Sequence, residues 1–194
     1  MHRKRCPFRR ANRPGVGPDI LDTGCLGGRG PRPASPGQAE SGHERRPSVE
    51  VVGLDPDPKA LARSRRKAKR AGAAIRFDQG SADALPYADA TFDRVFSSLM
   101  FHHLPHDAKL ATMREVRRVL KPGGALHLLD FEQEGSHSHN PLARWLHASK
   151  RLQDNNREQI LAWMGEAGFI EPRVVDFDQP IFGKIAYLAA RSGV

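Results

Sequence analysis

Cysteine is scarce in this sequence, and long apolar runs are absent. Only Cys6 and Cys25 occur among 194 residues, too few for a disulfide-stapled scaffold. No run of eighteen apolar residues exists, so no membrane-spanning helix is predicted. The basic N-terminus has no apolar stretch behind it, which argues against a secretory signal peptide and makes a cytoplasmic protein the expectation. Metal ligands are thin as well. His137 and His139 stand close together, but no third ligand falls at useful spacing, so no metal site is expected. The length suits one domain with a core of its own.

Charge is plentiful and one-sided. The net is +9, which ordinarily raises nucleic acid or an anionic surface as partner. Its distribution argues otherwise, because residues 1–46 hold ten Lys/Arg against four Asp/Glu, a net of +6. Residues 47–194 hold 21 against 18, only +3. Nucleic acid is therefore not the expected partner.

The two stretches also differ in texture. Residues 1–46 contain eight Gly and six Pro but a single aromatic, Phe8. Pro31, Pro33 and Pro36 forbid a helix there. We read 1–46 as irregular, either a disordered insertion or a stretch translated out of frame and recovered near Arg46. GC-rich codons read in the wrong register give that Gly/Pro/Arg/Ala bias, and the gene's nucleotide sequence separates the two readings. Residues 47–194 are read as the folded domain.

From Pro47 onward, apolar runs alternate with helical patterns, the mark of βα units around a parallel sheet. Val49–Leu54 predicts a strand ending at Asp55. Pro58–Ala71 predicts a helix that Gly72 stops. Strands follow at Ile75–Phe77 and Phe92–Ser98. A helix is expected over Asp107–Leu120, with Leu110, Met113, Val116 and Leu120 on one face. Lys121-Pro-Gly-Gly124 reads as its stop, and Ala125–Phe131 as the next strand. Pro141–Leu152 reads as an amphipathic helix that Asn140 could cap, with Leu142, Trp145, Leu146 and Leu152 in one stripe. A further helix follows Asn155, whose side chain is read as its cap, with Glu158 completing a capping box; Ile160, Leu161 and Met164 face inward and Gly168 stops it. Arg173–Phe177 and Lys184–Ala190 lie too close together for a helical crossover, so they should pair antiparallel.

Asp55 stands where an apolar strand stops, the place where doubly wound sheets bind ligands. A carboxylate there can accept both hydroxyls of a ribose; the plainer reading is a turn in Asp-Pro-Asp-Pro that caps the helix. Gly80-Ser-Ala-Asp-Ala-Leu-Pro86 is a small-residue loop past the next strand. Asp83 can take an exocyclic amine while a neighbouring backbone N–H reaches a ring nitrogen; an ordinary surface loop is the alternative. Together the two acids bracket an adenosine.

Residues 51–131 resemble the class I S-adenosylmethionine-dependent methyltransferases, in the small-molecule branch related to the ubiquinone and menaquinone C-methyltransferases. Val52-Gly-Leu-Asp-Pro-Asp57 is similar to that family's ribose-binding strand end, and Gly80-Ser-Ala-Asp83 to its adenine loop. Phe92–Leu104 is similar to its fourth strand and the turn after it. Arg114-Glu-Val-Arg-Arg-Val-Leu-Lys-Pro-Gly-Gly124 is the most specific match. The resemblance implies a Rossmann-like three-layer sandwich: a seven-stranded, mostly parallel sheet with an antiparallel C-terminal hairpin. It also implies S-adenosylmethionine as cofactor, held by Asp22, Gly24, Asp55, Pro56, Ala82, Asp83 and Ser98, and a small-molecule acceptor.

Residues 20–30 depart from the family pattern. After Asp22-Thr-Gly24 the glycine-rich loop continues Cys25-Leu26, so Leu26 stands where a second glycine is expected, and a Pro-rich tract replaces the helix. An impaired adenosine-binding or scaffold protein of the same fold is therefore the alternative function. A nicotinamide-dependent oxidoreductase would also use Asp55, but Asp83 and the terminal hairpin argue against it.

Methyl transfer needs little beyond alignment of nucleophile, methyl and sulfur. No catalytic residue is assigned. His102, His103 and His106 are candidates for a base, Ser97 and Ser98 for the cofactor's amino-acid end, and Asp130 for the acceptor side. The Trp145 stripe suits an apolar or lipid-like acceptor, or else packs on the sheet; weak contact with a membrane surface is a further option. Oligomeric state is not legible.

Overall fold

A computed structural model describes residues 19–22, 49–132, 155–178 and 184–193. In chain order the elements are β1 (Asp19–Asp22), β2 (Glu50–Asp55), α1 (Pro58–Ala71), β3 (Ile75–Gln79), β4 (Phe92–Ser98), a 3-10 turn (Phe101–His103) and α2 (His106–Val119), followed by β5 (Leu120–Glu132), α3 (Arg157–Glu166), β6 (Phe169–Asp178) and β7 (Lys184–Ser192). The strands form one seven-stranded sheet, ordered β3-β2-β1-β4-β5-β7-β6. The first five run parallel, and β7 pairs antiparallel with both β5 and β6. The Rossmann-like fold and its antiparallel hairpin agree with the sequence reading.

Local chemistry accounts for most element ends. Asp57 caps α1 by accepting the Lys59 N–H, and Gly72 closes it in the left-handed region at φ 64°, a conformation glycine adopts without strain. Right-handed crossovers put the helices on both faces: β2–α1–β3 and β4–α2–β5 step in opposite directions along the sheet, so α1 and α2 lie on opposite sides. The core fills the α2/α3 side, where Val95, Leu126, Leu128 and Leu188 meet Met113, Val116, Ile160, Trp163 and Met164. In the Asp107–Leu120 stripe, Met113 and Val116 are buried as expected, joined by Lys109 and Thr112. Leu161 is only partly buried, and Trp163 takes the inward place beside it.

Three boundaries differ from the sequence reading. Four residues of the stretch read as irregular, Asp19–Asp22, are a strand between β2 and β4; Gly and Pro dominate the composition around them and hide so short an element. The helix expected to reach Leu120 ends at Val119, and Leu120 is already extended, at ψ 133°. Pro122 disfavours helical backbone at Lys121, so the Lys121–Gly124 run becomes an irregularity inside β5, where partners jump from Phe92↔Leu120 to Arg94↔Ala125. Gly123 takes the positive φ of 74° there instead of capping α2. Finally, α3 is capped by Asn156, which accepts the Gln159 N–H. Asn155 is fully buried and donates to the Phe131 carbonyl instead.

Charge on residues 47–194 is not spread evenly. Seven of their cations, Lys59, Arg63, Arg65, Arg66, Lys67, Lys69 and Arg70, stand exposed on α1. Among the described residues no helix is long and apolar enough to cross a membrane. The Pro141–Leu152 helix and the Pro-rich tract lie outside the described residues.

Candidate functional site

The strand order reverses between β1 and β4: the chain leaves β1 toward β2 on one side and leaves β4 toward β5 on the other. Carboxyl ends of strands at such a switch form the ligand crevice of open α/β sheets. Asp22 ends β1, Asp55 ends β2, Gln79 ends β3 and Ser98 ends β4. These four adjacent tips lie along one edge, spanning three interstrand steps of ~4.8 Å, roughly 14 Å in all. Gly24 lies outside the described residues.

The strand tip that carries Asp55 and the loop that carries Asp83 adjoin at the β2–β3 end. Asp55 pairs in register with Gln79, and the next residue, Gly80, donates its N–H to the Asp55 carbonyl at 3.4 Å. The Gly80–Pro86 loop is thus tied directly to the strand tip that carries Asp55. Gly80 permits the close approach, since a Cβ there would stand 3.0 Å from Leu54 Cδ1 and 3.2 Å from Pro86 Cδ. Asp55 Oδ1 accepts the Asp57 N–H at 2.8 Å, which fixes its carboxylate; the capping role belongs to Asp57. Pro56 is exposed, and its carbonyl accepts from Gln79 Nε2 at 3.1 Å. In the loop, Ala82 is buried while Asp83 is exposed, with one carboxylate oxygen accepting from the Ser81 hydroxyl. Carboxylates only accept hydrogen bonds, so this end is built to receive donors.

Sequence reading missed the brace behind that loop. Glu115 Oε2 on α2 accepts the Leu85 N–H at 2.8 Å and Arg118 Nη2 at 2.7 Å, and Glu115 Oε1 accepts Arg118 Nε at 2.8 Å. Arg118 also donates to the Leu85 and Tyr87 carbonyls and to Asp89. The paired guanidinium holds the Glu115 carboxyl below its ordinary value, and Glu115 in turn holds Arg118 charged. Charge-assisted bonds to several backbone groups at once fix a loop firmly. The one signal for this brace was an acid three residues before a base within Arg114–Arg118. Tyr87 adds a bond to Asp78, and burial together with that carboxylate pushes its phenol above the usual range.

At the β4–β5 end the arrangement is buried. Ser98 is half-buried, while Ser97 points to the core side, and its hydroxyl has no hydrogen-bond partner among the described residues. Leu99 then turns out of the sheet at φ 54°, its N–H bonded to the Leu129 carbonyl at 2.8 Å. A positive φ in a branched residue stores strain, which often accompanies functional sites. The turn delivers His102 onto Asp130 at the end of β5. One Asp130 oxygen accepts the His102 backbone N–H at 2.9 Å, and the other lies 2.5 Å from His102 Nδ1. Asp130 is 1% exposed and His102 9%, so water hardly competes for either.

The neighbouring histidines differ. His103 is exposed, with its ring centroid 3.9 Å from that of His102. His106 lies edge-on to Trp163 at 5.5 Å. Lys109 is wholly buried, its Nζ 5.7 Å from the Phe101 ring centroid and 5.5 Å from that of Trp163. That geometry stabilises a desolvated cation. Further along the same end, Arg157 Nε bonds Glu132 Oε1 at 2.5 Å. Among the described residues no group of three or more His, Cys, Asp or Glu is disposed to hold a metal; His137 and His139 lie outside them.

Comparison with known proteins adds a common pattern. A demethylmenaquinone methyltransferase of Deinococcus radiodurans is 42% identical over 93 residues, covering 48% of this chain and 38% of that one. One from Thermus thermophilus is 43% identical over 88 residues, covering 45% and 39%. The chain spans about four-tenths of the length of these relatives. Among solved structures, a SAM-dependent methyltransferase from Methanosarcina mazei superposes with a TM-score of 0.66 over 92% of this chain and 94% of its own, at 18% identity, a likeness of fold. The sequence pattern described as a methyltransferase domain matches residues 20–124. That match begins in β1, takes in both acidic tips and the Arg114–Gly124 motif, and covers more than half of the sequence. On that ground the chain belongs to the methyltransferase-domain family.

Proposed function

We propose that this chain transfers the methyl group of S-adenosylmethionine to a small-molecule acceptor. The observation that carries the reading is the junction at the β2–β3 tips, where the Asp55 strand end and the Asp83 loop are joined by a backbone hydrogen bond. The chemistry of the two acids fits the nucleoside: the ribose diol and the adenine amine are donors, and both side chains are acceptors. Asp55 would hold the diol. Asp83 would take the amine, with buried Ala82 leaving room for the ring and Pro56 stiffening the strand exit. Asp22, Gly24 and Ser98 would line the amino-acid end near the switch point. The bound cofactor supplies a methyl group already activated by its sulfonium. What remains for the protein is orientation and water exclusion, worth ~7–11 kcal/mol when the reacting atoms are well aligned.

The acceptor we favour is an apolar ring compound of quinol type, in line with the names of two relatives. We assign catalysis to residues 47–194 together with β1, and the cytoplasm as the setting, with at most weak contact to a membrane surface and no nucleic-acid partner. The test is transfer of labelled methyl from S-adenosylmethionine into an organic extract with 1,4-naphthohydroquinone as acceptor. Label should appear with the wild-type chain and fall sharply with Asp55→Ala; equal counts for both chains would overturn the assignment.

A further inference from the structure

We propose that His102 is the proton acceptor for the methylated substrate, with Asp130 as the residue that positions it. The proposal rests on the methyl-transfer reading and adds to it the group that receives the proton and the acceptor class that needs one. Acceptors bearing an acidic hydroxyl on an aromatic ring lose a proton on methylation; thioethers and tertiary amines lose none.

Four observations converge. His102 follows β4, a strand that borders the switch point, just after the strained turn at Leu99. One carboxylate holds the residue at two points, the backbone N–H at one oxygen and the ring Nδ1 at the other. Asp130 also accepts the Phe131 N–H at 2.7 Å, so the carboxylate itself is fixed. The Phe131 ring stands edge-on to the His102 ring, 5.2 Å between centroids, limiting rotation.

A carboxylate can only accept, so the proton in the Nδ1 contact belongs to the imidazole. Neutral His102 therefore carries its hydrogen on Nδ1 and keeps a lone pair on Nε2, which bonds no other described residue. Free imidazole side chains have no such fixed choice; the partner at one nitrogen sets the chemistry of the other. In the transfer, the acceptor O–H bond breaks and its proton passes to Nε2. The freed electron pair forms the new bond to the methyl carbon, and the carbon–sulfur pair returns to sulfur, leaving a neutral thioether. When a ring carbon takes the methyl, loss of that carbon's hydrogen and reprotonation of the oxygen leave the balance unchanged. The imidazolium so formed sits against the Asp130 carboxylate, which stabilises it.

The test reads the ring directly. Nitrogen-15 NMR on the full chain saturated with S-adenosylhomocysteine should show His102 with hydrogen on Nδ1 and a bare Nε2. In Asp130→Asn the new amide can donate to Nδ1, which moves the hydrogen to Nε2 and removes the acceptor. With 1,4-naphthohydroquinone, His102→Gln and Asp130→Asn should each lose ~10²–10⁴-fold in kcat, with S-adenosylhomocysteine affinity unchanged. Hydrogen on Nε2 in the wild-type chain overturns the proposal whether or not a variant folds. So does turnover by His102→Gln close to that of wild type. Failure of the wild-type chain to bind S-adenosylhomocysteine would instead overturn the methyl-transfer reading, while spectra of the ligand-free chain would still decide the state of His102.

Discussion

The two ends of the carboxyl edge solve different problems with the same residue type. At the β2–β3 end the carboxylates are open to water: Asp83 is exposed and accepts from the Ser81 hydroxyl, and Asp55 is half-exposed and accepts from the Asp57 N–H. At the β4–β5 end Asp130 is buried and saturated by three N–H groups. An exposed acid loses little by waiting for a ligand, because water satisfies it meanwhile. A buried acid must be satisfied by the protein itself, so it serves stability and orientation. The acids at the two ends should therefore fail differently when removed.

The largest effect is expected at the buried end. Asp130→Ala leaves the His102 backbone N–H and ring nitrogen without their acceptor, a loss of about 3–5 kcal/mol in unfolding free energy by denaturant titration. The open end should be indifferent to the same measurement, with Asp55→Ala within about 0.5 kcal/mol of wild type. Equal losses at both ends would erase the distinction.

A second expectation concerns pH. His127 stacks between Phe96 and Tyr187 on the sheet face opposite the main core, and Tyr187 Oη lies 2.6 Å from its Nδ1. Burial, with Arg94 and Arg173 nearby, pushes its pKa down from 6.5 to about 4. Between those two values the unfolded chain binds a proton that the folded chain refuses, so stability rises with pH across that window. Acidifying from 6.5 to about 4 should remove on the order of 3 kcal/mol, and His127→Phe should flatten that part of the curve. An unchanged slope would contradict the assignment.

Smaller effects should fall on the brace and the loop. Glu115→Gln weakens the bonds to Arg118 and to the Leu85 N–H, costing ~1.5–3 kcal/mol in stability; hydrogen exchange should quicken over residues 81–89. Asp83→Ala, which removes one exposed hydrogen-bonding partner of the ligand, should weaken S-adenosylhomocysteine binding by about tenfold without moving the melting temperature. A shift in melting temperature would mean that Asp83 holds the loop and not the ligand.

How far the sequence could be read follows from where information is local. Helix α1 was legible end to end, because Pro58 and Gly72 mark its limits by their own backbone restrictions. The acidic tips were legible because an Asp where an apolar strand stops is a local pattern. Strand β1 was not, since four residues between Gly- and Pro-rich flanks give no period. The start of β5 was misplaced because Pro122 and Gly123 signal the end of a helix equally well when they sit in a strand irregularity. His102 and Asp130 were each visible as candidates, but 28 residues separate them, and only the β4–β5 pairing brings them together. The Glu115–Arg118 brace was hidden for the same reason: its partners lie across the fold.

Titration calorimetry of S-adenosylhomocysteine into the wild-type, Asp55→Ala and Asp130→Asn chains is the most direct trial of the whole account. Saturable binding to the wild type, a loss of about 100-fold on removing the Asp55 carboxylate, and no loss in Asp130→Asn would match it, two charge-assisted bonds being worth ~3 kcal/mol together. Undiminished affinity in Asp55→Ala would contradict it, because the nucleoside would then be held somewhere other than the β2–β3 strand tips.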